Sequence, residues 1–263
     1  MKTTANDTRV ANEVKKVAKR VRCPYTLLPG EFLIEYSDTT TFTVSAGRTL
    51  DSTGQNEIEL SDITKTIDTF AFGDGNGARV YDTITSGGYC YVFAISNGVT
   101  SDIIISESFD SPEIPNSSYW FRRIGSLVFN GTILLQFLNN NREYLSYIYI
   151  VNLAIGVYIS TQSFTVTPPP LTTGIFELCL KRVTSTAYST STSLQSMRLI
   201  QSGTVSSVND YSYDVAVNGI YQAAVNEKRV FVPSNRTLSA YYRNPDSYLY
   251  SSVYFKGWED KDL

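Results

Sequence analysis

The stretch GYCYVFAISNGVTSDIIISES occupies residues 88–108 and indicates a β-hairpin. Two runs rich in β-branched and aromatic residues flank Asn97-Gly98, a dipeptide that favours the tight turn between antiparallel strands. Similar short runs, separated by turn clusters, continue from Phe32 to the end of the chain, and none of them has a helical period. The sequence therefore predicts an all-β body, an antiparallel sandwich or barrel, of which a β-sandwich of the jelly-roll type is preferred.

The Pro-rich stretch TVTPPPLTTG, residues 165–174, is the predicted seam between two packed β lobes. The predicted domains are a basic N-terminal anchor over residues 1–26, a first β lobe over 27–166 and a second β lobe over 167–263. Because the residues from Gly257 onward are mostly polar, we expect that terminus to be frayed.

The first segment of the chain has the pattern of a short amphipathic α-helix. Its valines recur at heptad spacing, and Pro24 then ends the helix. A helix with one narrow apolar stripe needs a partner, which is a symmetry mate, a neighbouring protein or its own domain. The residues assigned to this docking or oligomerisation helix are Val10, Val14, Val17, Val21, Lys15, Lys16, Lys19 and Arg20.

Charge is divided unevenly along the chain. Residues 1–22 hold seven Lys or Arg and two acids, a local net charge of +5. The whole chain has 22 basic and 25 acidic residues, so the remainder carries 15 basic and 23 acidic residues, a net charge of −8. We expect the basic segment to meet a different partner from the body, and a solvated helix is preferred over a nucleic-acid contact.

The composition lowers the expectation of an enzyme without excluding one. The chain has no histidine, which removes Ser-His-Asp and Cys-His catalysis and histidine-ligated metals. Its three cysteines form neither a zinc pattern nor a disulfide framework, and they are interpreted as reduced thiols. The sequence GDGNG, residues 73–77, is interpreted as a turn between strands because no helix pattern follows it. No catalytic residue, metal or cofactor is predicted.

The apolar stretch over residues 144–160 is too short for a comfortable membrane span and contains Ser146 and Asn152. We interpret it as two consecutive strands and expect no membrane insertion.

Tyrosines crowd the stretch SAYYRNPDSYLYSSVYF, residues 239–255. Tyrosine combines an apolar face with a polar tip, which suits interfaces and sugar platforms. Tyr241, Tyr242, Tyr248 and Tyr250 are the candidate surface-binding aromatics. The alternative is ordinary alternation, with the outward tyrosines of a sheet simply exposed to water.

An ordered set of motifs resembles a β module of bacteriophage virion proteins, those described as tail-fibre or host-specificity proteins. The motifs are SAGRTLDSTGQNEIELSDITKTID, GDGNGARV, GYCYVFAIS, ISESFDSPEIP, YWFRRIGSLVFNG and SYLYSSVYFKGWEDKD, and the resemblance covers about residues 27–263. One departure is an extra residue between Arg48 and Asp51. The resemblance implies a non-enzymatic, oligomeric virion component with no catalytic residues.

Arg122 and Arg123 lie side by side in a strand-like run, so they point to opposite faces of a sheet. An unpaired buried arginine would cost several kcal/mol, roughly 3–5. We therefore expect one of them to pair with an acid, and Asp51 in the DSTG turn is the predicted partner.

The leading expectation is a fibre-type module, of a tail or head fibre, assembled in the host bacterial cytoplasm into the virion. Its partners are other virion proteins, copies of itself with a trimer favoured, and, as a further expectation, a host-surface glycan. The alternative is a capsid decoration or portal–tail connector protein. A polysaccharide depolymerase is the third hypothesis, and the sequence lacks the facing carboxylates and the repetitive scaffold that such enzymes use.

Overall fold

A computed structural model describes residues 27, 31–80, 88–130, 133–140, 143–153, 159–166, 169–182, 195–201, 211–215, 223–232, 234–243 and 249–260. These residues form nineteen β-strands and contain no helix, which confirms the all-β expectation. Residues 1–26, where the N-terminal helix is predicted, lie outside the described residues. The described residues contain no helix that is long and apolar enough to span a membrane.

The first sheet has eight strands in the order β1-β2-β5-β6-β8-β7-β9-β10. Its strands are β1 (Ile34–Tyr36), β2 (Thr41–Val44), β5 (Ile63–Thr69), β6 (Gly77–Arg79), β7 (Tyr89–Ser96), β8 (Ser101–Ser106), β9 (Trp120–Asn130) and β10 (Ile133–Leu134). A separate hairpin pairs β3 (Gly47–Leu50) with β4 (Glu57–Leu60).

The first sheet is mixed, because β6 pairs in parallel with both β5 and β8. The purely antiparallel expectation was therefore wrong for this strand. Loop 70–76 brings the chain back beside β5 in the same direction, and Gly77 allows the approach. A Cβ atom at Gly77 would collide with the backbone oxygens of Asp68 and Thr69.

The remaining strands form two antiparallel sheets, in the orders β11-β12-β19-β14-β17 and β13-β18-β15-β16. The strands are β11 (Leu138–Asn140), β12 (Glu143–Leu153), β13 (Ile159–Thr165), β14 (Thr173–Arg182), β15 (Gln195–Gln201), β16 (Tyr211–Val215), β17 (Ala223–Phe231), β18 (Thr237–Arg243) and β19 (Leu249–Glu259). β12 pairs with β19 and β13 pairs with β18. Strands that precede residue 166 in the sequence thus pair with strands that follow it. The division into two lobes at residue 166 stays a prediction.

One large apolar core joins side chains of the first sheet to those of the five-stranded sheet. At its centre Trp258 is fully buried and stacks on Tyr144, with the ring centroids 4.9 Å apart. Because β19 lies between β12 and β14, its last residues are held on both sides. The expectation of a frayed terminus was therefore wrong for residues 257–260.

A second apolar cluster lies on the opposite face of the first sheet. It is built from Tyr91, Phe93, Ile95 and Ile104. Partly buried side chains from the segment 107–119, including Phe109 and Ile114, pack against it. β7 and β8 are therefore covered on both faces, which explains why their sequences are nearly continuous apolar runs.

Candidate functional site

The two arginines of β9 lie on opposite faces of the first sheet, as expected. In the register with β7, Arg122 is opposite Ala94 of the large core, and Arg123 is opposite Phe93 of the second cluster. Arg122 is buried at 9% exposure. The guanidinium carbon of Arg123 lies 3.8 Å from the ring centroid of Phe109. Arg123 therefore makes a cation–π contact that holds the covering segment to the sheet.

The Asp51 carboxylate organises the DSTG turn. It accepts hydrogen bonds from the Gln55 nitrogen at 2.9 Å, from Asn56 Nδ2 at 2.8 Å and from the Thr53 hydroxyl. Burial alone would raise the pKa of Asp51, but these hydrogen bonds outweigh it and the pKa lies below its usual value. The backbone nitrogen of Ser52 donates to the Phe121 oxygen and places the turn against β9.

The Asp51 carboxylate, which is the predicted partner of Arg122 or Arg123, thus already accepts hydrogen bonds from residues of its own turn. The structure brings the turn and the arginine strand together through the backbone. The ion pair itself stays a prediction.

A hydrogen-bonded chain links β9 to the end of β19. The Ser126 hydroxyl donates to Asp260 Oδ2 at 2.6 Å and accepts from Trp258 Nε1 at 2.9 Å. All three residues are buried. We therefore interpret this series of hydrogen bonds as a structural link between the two sheets.

A buried ion pair forms beneath loop 70–76. Lys65 Nζ lies 3.0 Å from Asp102 Oδ1, and their side chains are 0% and 1% exposed. Lys65 Nζ also donates to the backbone oxygens of Ala71 and Gly73. Burial lowers the pKa of Lys65, and the hydrogen bond and charge of Asp102 oppose that shift. The pair ties the loop to both β5 and β8.

Three loops meet at one end of the first sheet, and we call them the aromatic rim: residues 70–76, 97–100 and 116–119. Asp102, next to the β7–β8 turn, accepts a hydrogen bond from the Gly73 nitrogen in the first loop. The third loop leads into Trp120, which pairs with Ser96, the residue just before the second loop. Phe72 on this rim is 43% exposed. The rings of Phe72 and Tyr119 are 5.5 Å apart at an angle of 30°.

An open groove of about 380 Å³ runs over β1, β2 and β5. Glu35, Asp62 and Asp74 contribute carboxylates to its lining. Asp62 accepts from the Ala46 nitrogen and Asp74 from the Thr64 nitrogen, so both carboxylates help to fix the local backbone. Among the residues that the structure describes, no group of three or more His, Cys, Asp or Glu side chains could hold a metal ion.

The outward face of the five-stranded sheet carries a network of ion pairs. The Arg229 guanidinium contacts Glu259 at 2.8 Å and Glu143 at 3.1 Å, and Lys256 contacts Glu227 at 2.8 Å. The hydrogen bond that Arg229 donates to Glu143 is the main reason that the pKa of Arg229 is raised.

The other residues predicted from the sequence are placed only in part. Tyr241 and Tyr242 lie on β18 and Tyr250 lies on β19, without described side chains, and Tyr248 lies outside the described residues. The residues of the predicted docking helix also lie outside the described residues.

Sequence reasoning missed the Lys65–Asp102 pair and the rim that it supports. One signal was present: Lys65 lies two residues before the buried Ile67, so strand alternation already placed the lysine on the inward face.

No protein-family model matches the chain, and no curated protein matches it.

Proposed function

We propose that the protein is a structural component of a bacteriophage particle, a fibre-type module that docks through its N-terminal segment and presents its β body outward. The observation that carries the proposal is the division of charge, +5 over residues 1–22 and −8 over the rest. A basic segment can bind an acidic partner that the acidic body itself repels, which fits a chain that docks through its N-terminal segment.

The positions of the motifs support the proposal. DSTG forms a turn that Asp51 closes, RRIG lies on β9 beside both apolar clusters, and the GW dipeptide fills the core with Trp258. These motifs organise packing, as expected for a module whose task is to hold a shape. The proposal is of a non-enzymatic protein.

The proposal extends to the finer architecture. We propose two packed lobes in a sandwich of the jelly-roll type, a helix over the valine-seamed N-terminal segment, and a homotrimer assembled through that segment. The core that the first sheet shares with the five-stranded sheet supports the packed arrangement. The heptad spacing of the four valines supports the oligomer.

The test is to raise antibodies against the purified chain and to probe purified phage particles by immunogold labelling. We expect label on the particles, at fibres of the tail or head. Antigen found only in the soluble lysate would overturn the proposal. Label confined to the capsid surface or to the junction of portal and tail would instead select the connector or decoration alternative.

A further inference from the structure

The ion pair between Lys65 and Asp102 holds an amine against a carboxyl group in a site closed to solvent. Lys65 Nζ lies 3.0 Å from Asp102 Oδ1, and the two side chains are 0% and 1% exposed. The Phe70 ring lies beside the amine, with its centroid 5.2 Å from Nζ. Because two buried charges cost a large desolvation energy that their attraction offsets only in part, a reaction that neutralises both is favoured in such a site.

The hydrogen bonds of Lys65 orient its nitrogen toward the carboxyl group. A lysine ammonium group has three N–H donors. Two of them donate to the backbone oxygens of Ala71 at 2.9 Å and Gly73 at 3.2 Å, and the third faces Asp102. When the third proton moves to the carboxylate, the lone pair that it leaves points at the carboxyl group. Burial lowers the pKa of Lys65, which favours this uncharged and nucleophilic amine.

Backbone N–H groups hold the Asp102 carboxylate in place for such an attack. The Gly73 nitrogen donates to Oδ2 at 2.8 Å, and the Ile103 nitrogen donates to Oδ1 at 2.6 Å. When an amine adds to a carboxyl carbon, negative charge develops on one oxygen, and a fixed backbone donor stabilises that charge. Oδ2 therefore has the donor that an oxyanion needs, while Oδ1, which faces Lys65, receives the proton and leaves.

We propose that Lys65 and Asp102 condense after folding into an isopeptide cross-link between β5 and β8. The bond from Nζ to Cγ of Asp102 forms, the bond from Cγ to Oδ1 breaks, and one water molecule leaves with two protons of the ammonium group. The reaction consumes no oxidant, reductant or cofactor. Groups held at a fixed distance reach effective concentrations of about 10⁵–10⁸ M, which makes a condensation accessible that free amines and acids do not undergo in water.

The cross-link acts as a disulfide does, without requiring an oxidising compartment. It closes the chain between residues 65 and 102 into a ring, so the unfolded chain has less conformational freedom. It also fixes β5 to β8 across β6, a strand of only three residues. The inference goes beyond the proposed function and does not depend on it.

The test is the mass of the full-length chain, purified under native conditions and then denatured in guanidinium. We expect a mass that is lower than the sequence mass by one water molecule. Trypsin digestion of the denatured chain should miss the cleavage after Lys65 and give a branched peptide, in which residues 49–79 are joined to residues 80–122. Tandem mass spectrometry should place the junction at Lys65 and Asp102.

Two variants remove the reaction and two controls retain it or never show it. Lys65→Arg keeps the positive charge but offers no amine, and Asp102→Ala removes the carboxyl group, so both should have their full sequence mass. Asp74→Asn removes the other carboxylate whose charge acts on Lys65, and it should still lose one water molecule. Lys256 and Glu227 are 2.8 Å apart but partly exposed, and their peptides should be recovered separately.

A wild-type chain at its full sequence mass would overturn the inference. A loss of water that persists in Lys65→Arg would also overturn it, because that loss would come from succinimide formation at another aspartate. If a variant does not fold, the wild-type digest decides: the branched peptide supports the inference, and a free peptide that ends at Lys65 contradicts it. Immunogold labelling of particles tests the proposed function separately, and its outcome does not affect this inference.

Discussion

Asp51 is the residue on which the DSTG turn depends, because one carboxylate collects donors from Thr53, Gln55 and Asn56. Its pKa is lowered in the folded protein, so its contribution to stability is present above the unfolded pKa near 4 and is lost as pH falls through the folded pKa. We predict that Asp51→Asn lowers the free energy of unfolding at pH 7 by about 2 kcal/mol. Urea unfolding from pH 7 to pH 2 should show the difference from wild type shrinking below about pH 4.

Asp38 supplies the control for this prediction. It accepts hydrogen bonds from the nitrogen and hydroxyl of Thr40, but in an exposed turn. Asp38→Asn should change the unfolding free energy less than Asp51→Asn. Equal effects of the two substitutions would show that the burial of Asp51 contributes nothing.

Lys65 is a buried cation beneath the rim, and its removal leaves the buried Asp102 carboxylate without this ion-pair partner. We predict that Lys65→Met lowers the free energy of unfolding by about 3–5 kcal/mol and speeds amide exchange in loop 70–76. Chemical denaturation and hydrogen exchange measure the two effects.

Two comparisons make the Lys65 result interpretable. Lys256→Met removes a partly exposed ion pair and should cost less than about 1 kcal/mol. The double variant Lys65→Met/Asp102→Leu should be more stable than Lys65→Met alone, because the uncompensated charge is gone. If Lys65→Met left the free energy of unfolding unchanged, the role given to the ion pair would be contradicted.

At the scale of elements, the outward face of the five-stranded sheet is held across its strands by charge. Arg229 on β17 reaches Glu143 on β12 and Glu259 on β19 through two different nitrogens. We predict that Arg229→Lys lowers the unfolding free energy by about 1 kcal/mol at low salt, because an ammonium cannot reproduce the guanidinium fork. Denaturation at rising NaCl concentration should reduce the difference, since salt screens partly exposed charges. A difference that is independent of salt would assign the loss to packing.

The elements also show which signals a sequence carries. The β7–β8 hairpin was predictable because Asn97-Gly98 determines the turn locally. The parallel pairing of β6 was not predictable, since it depends on how closely Gly77 approaches Asp68 and Thr69 in three dimensions. Phe72 escaped notice because nothing local distinguishes an exposed aromatic residue in a loop from a buried one.

At the scale of the whole molecule, Trp258 connects the two main sheets. It stacks on Tyr144 of β12 and donates to Ser126 of β9. We predict that Trp258→Ala lowers the free energy of unfolding by about 3–5 kcal/mol, the usual cost of emptying a buried tryptophan site. The chain has only two tryptophans, so Trp120→Ala is a matched control that should cost less because Trp120 is partly exposed. Thermal unfolding followed by tyrosine absorbance measures both, and equal losses would contradict the central position of Trp258.

The same position of Trp258 explains why the sequence misled at the terminus. KGWEDKDL reads as polar, yet β19 lies at the middle of its sheet and carries Trp258 and Asp260 into the interior. Strand order between distant segments is a property of the whole chain, and local composition does not encode it.

The charge division leads to the last prediction, deletion of residues 1–22. The apolar clusters found among the described residues are built from Leu27 onward, and the proposed function makes residues 1–22 an anchor separate from them. We therefore predict that the truncated chain unfolds with a free energy within about 0.5 kcal/mol of the full chain, as for changes remote from the core. The same truncation should abolish incorporation into particles, measured by immunoblot of purified virions from complemented cells.

Replacement of Val10, Val14, Val17 and Val21 by serine, with all the charges retained, separates the apolar seam from the basic charge. If both variants fail to incorporate, docking depends on the apolar seam. Normal incorporation of the serine variant would instead assign docking to the basic charge alone. Unfolding of the truncated chain would contradict an anchor that is separate from the body.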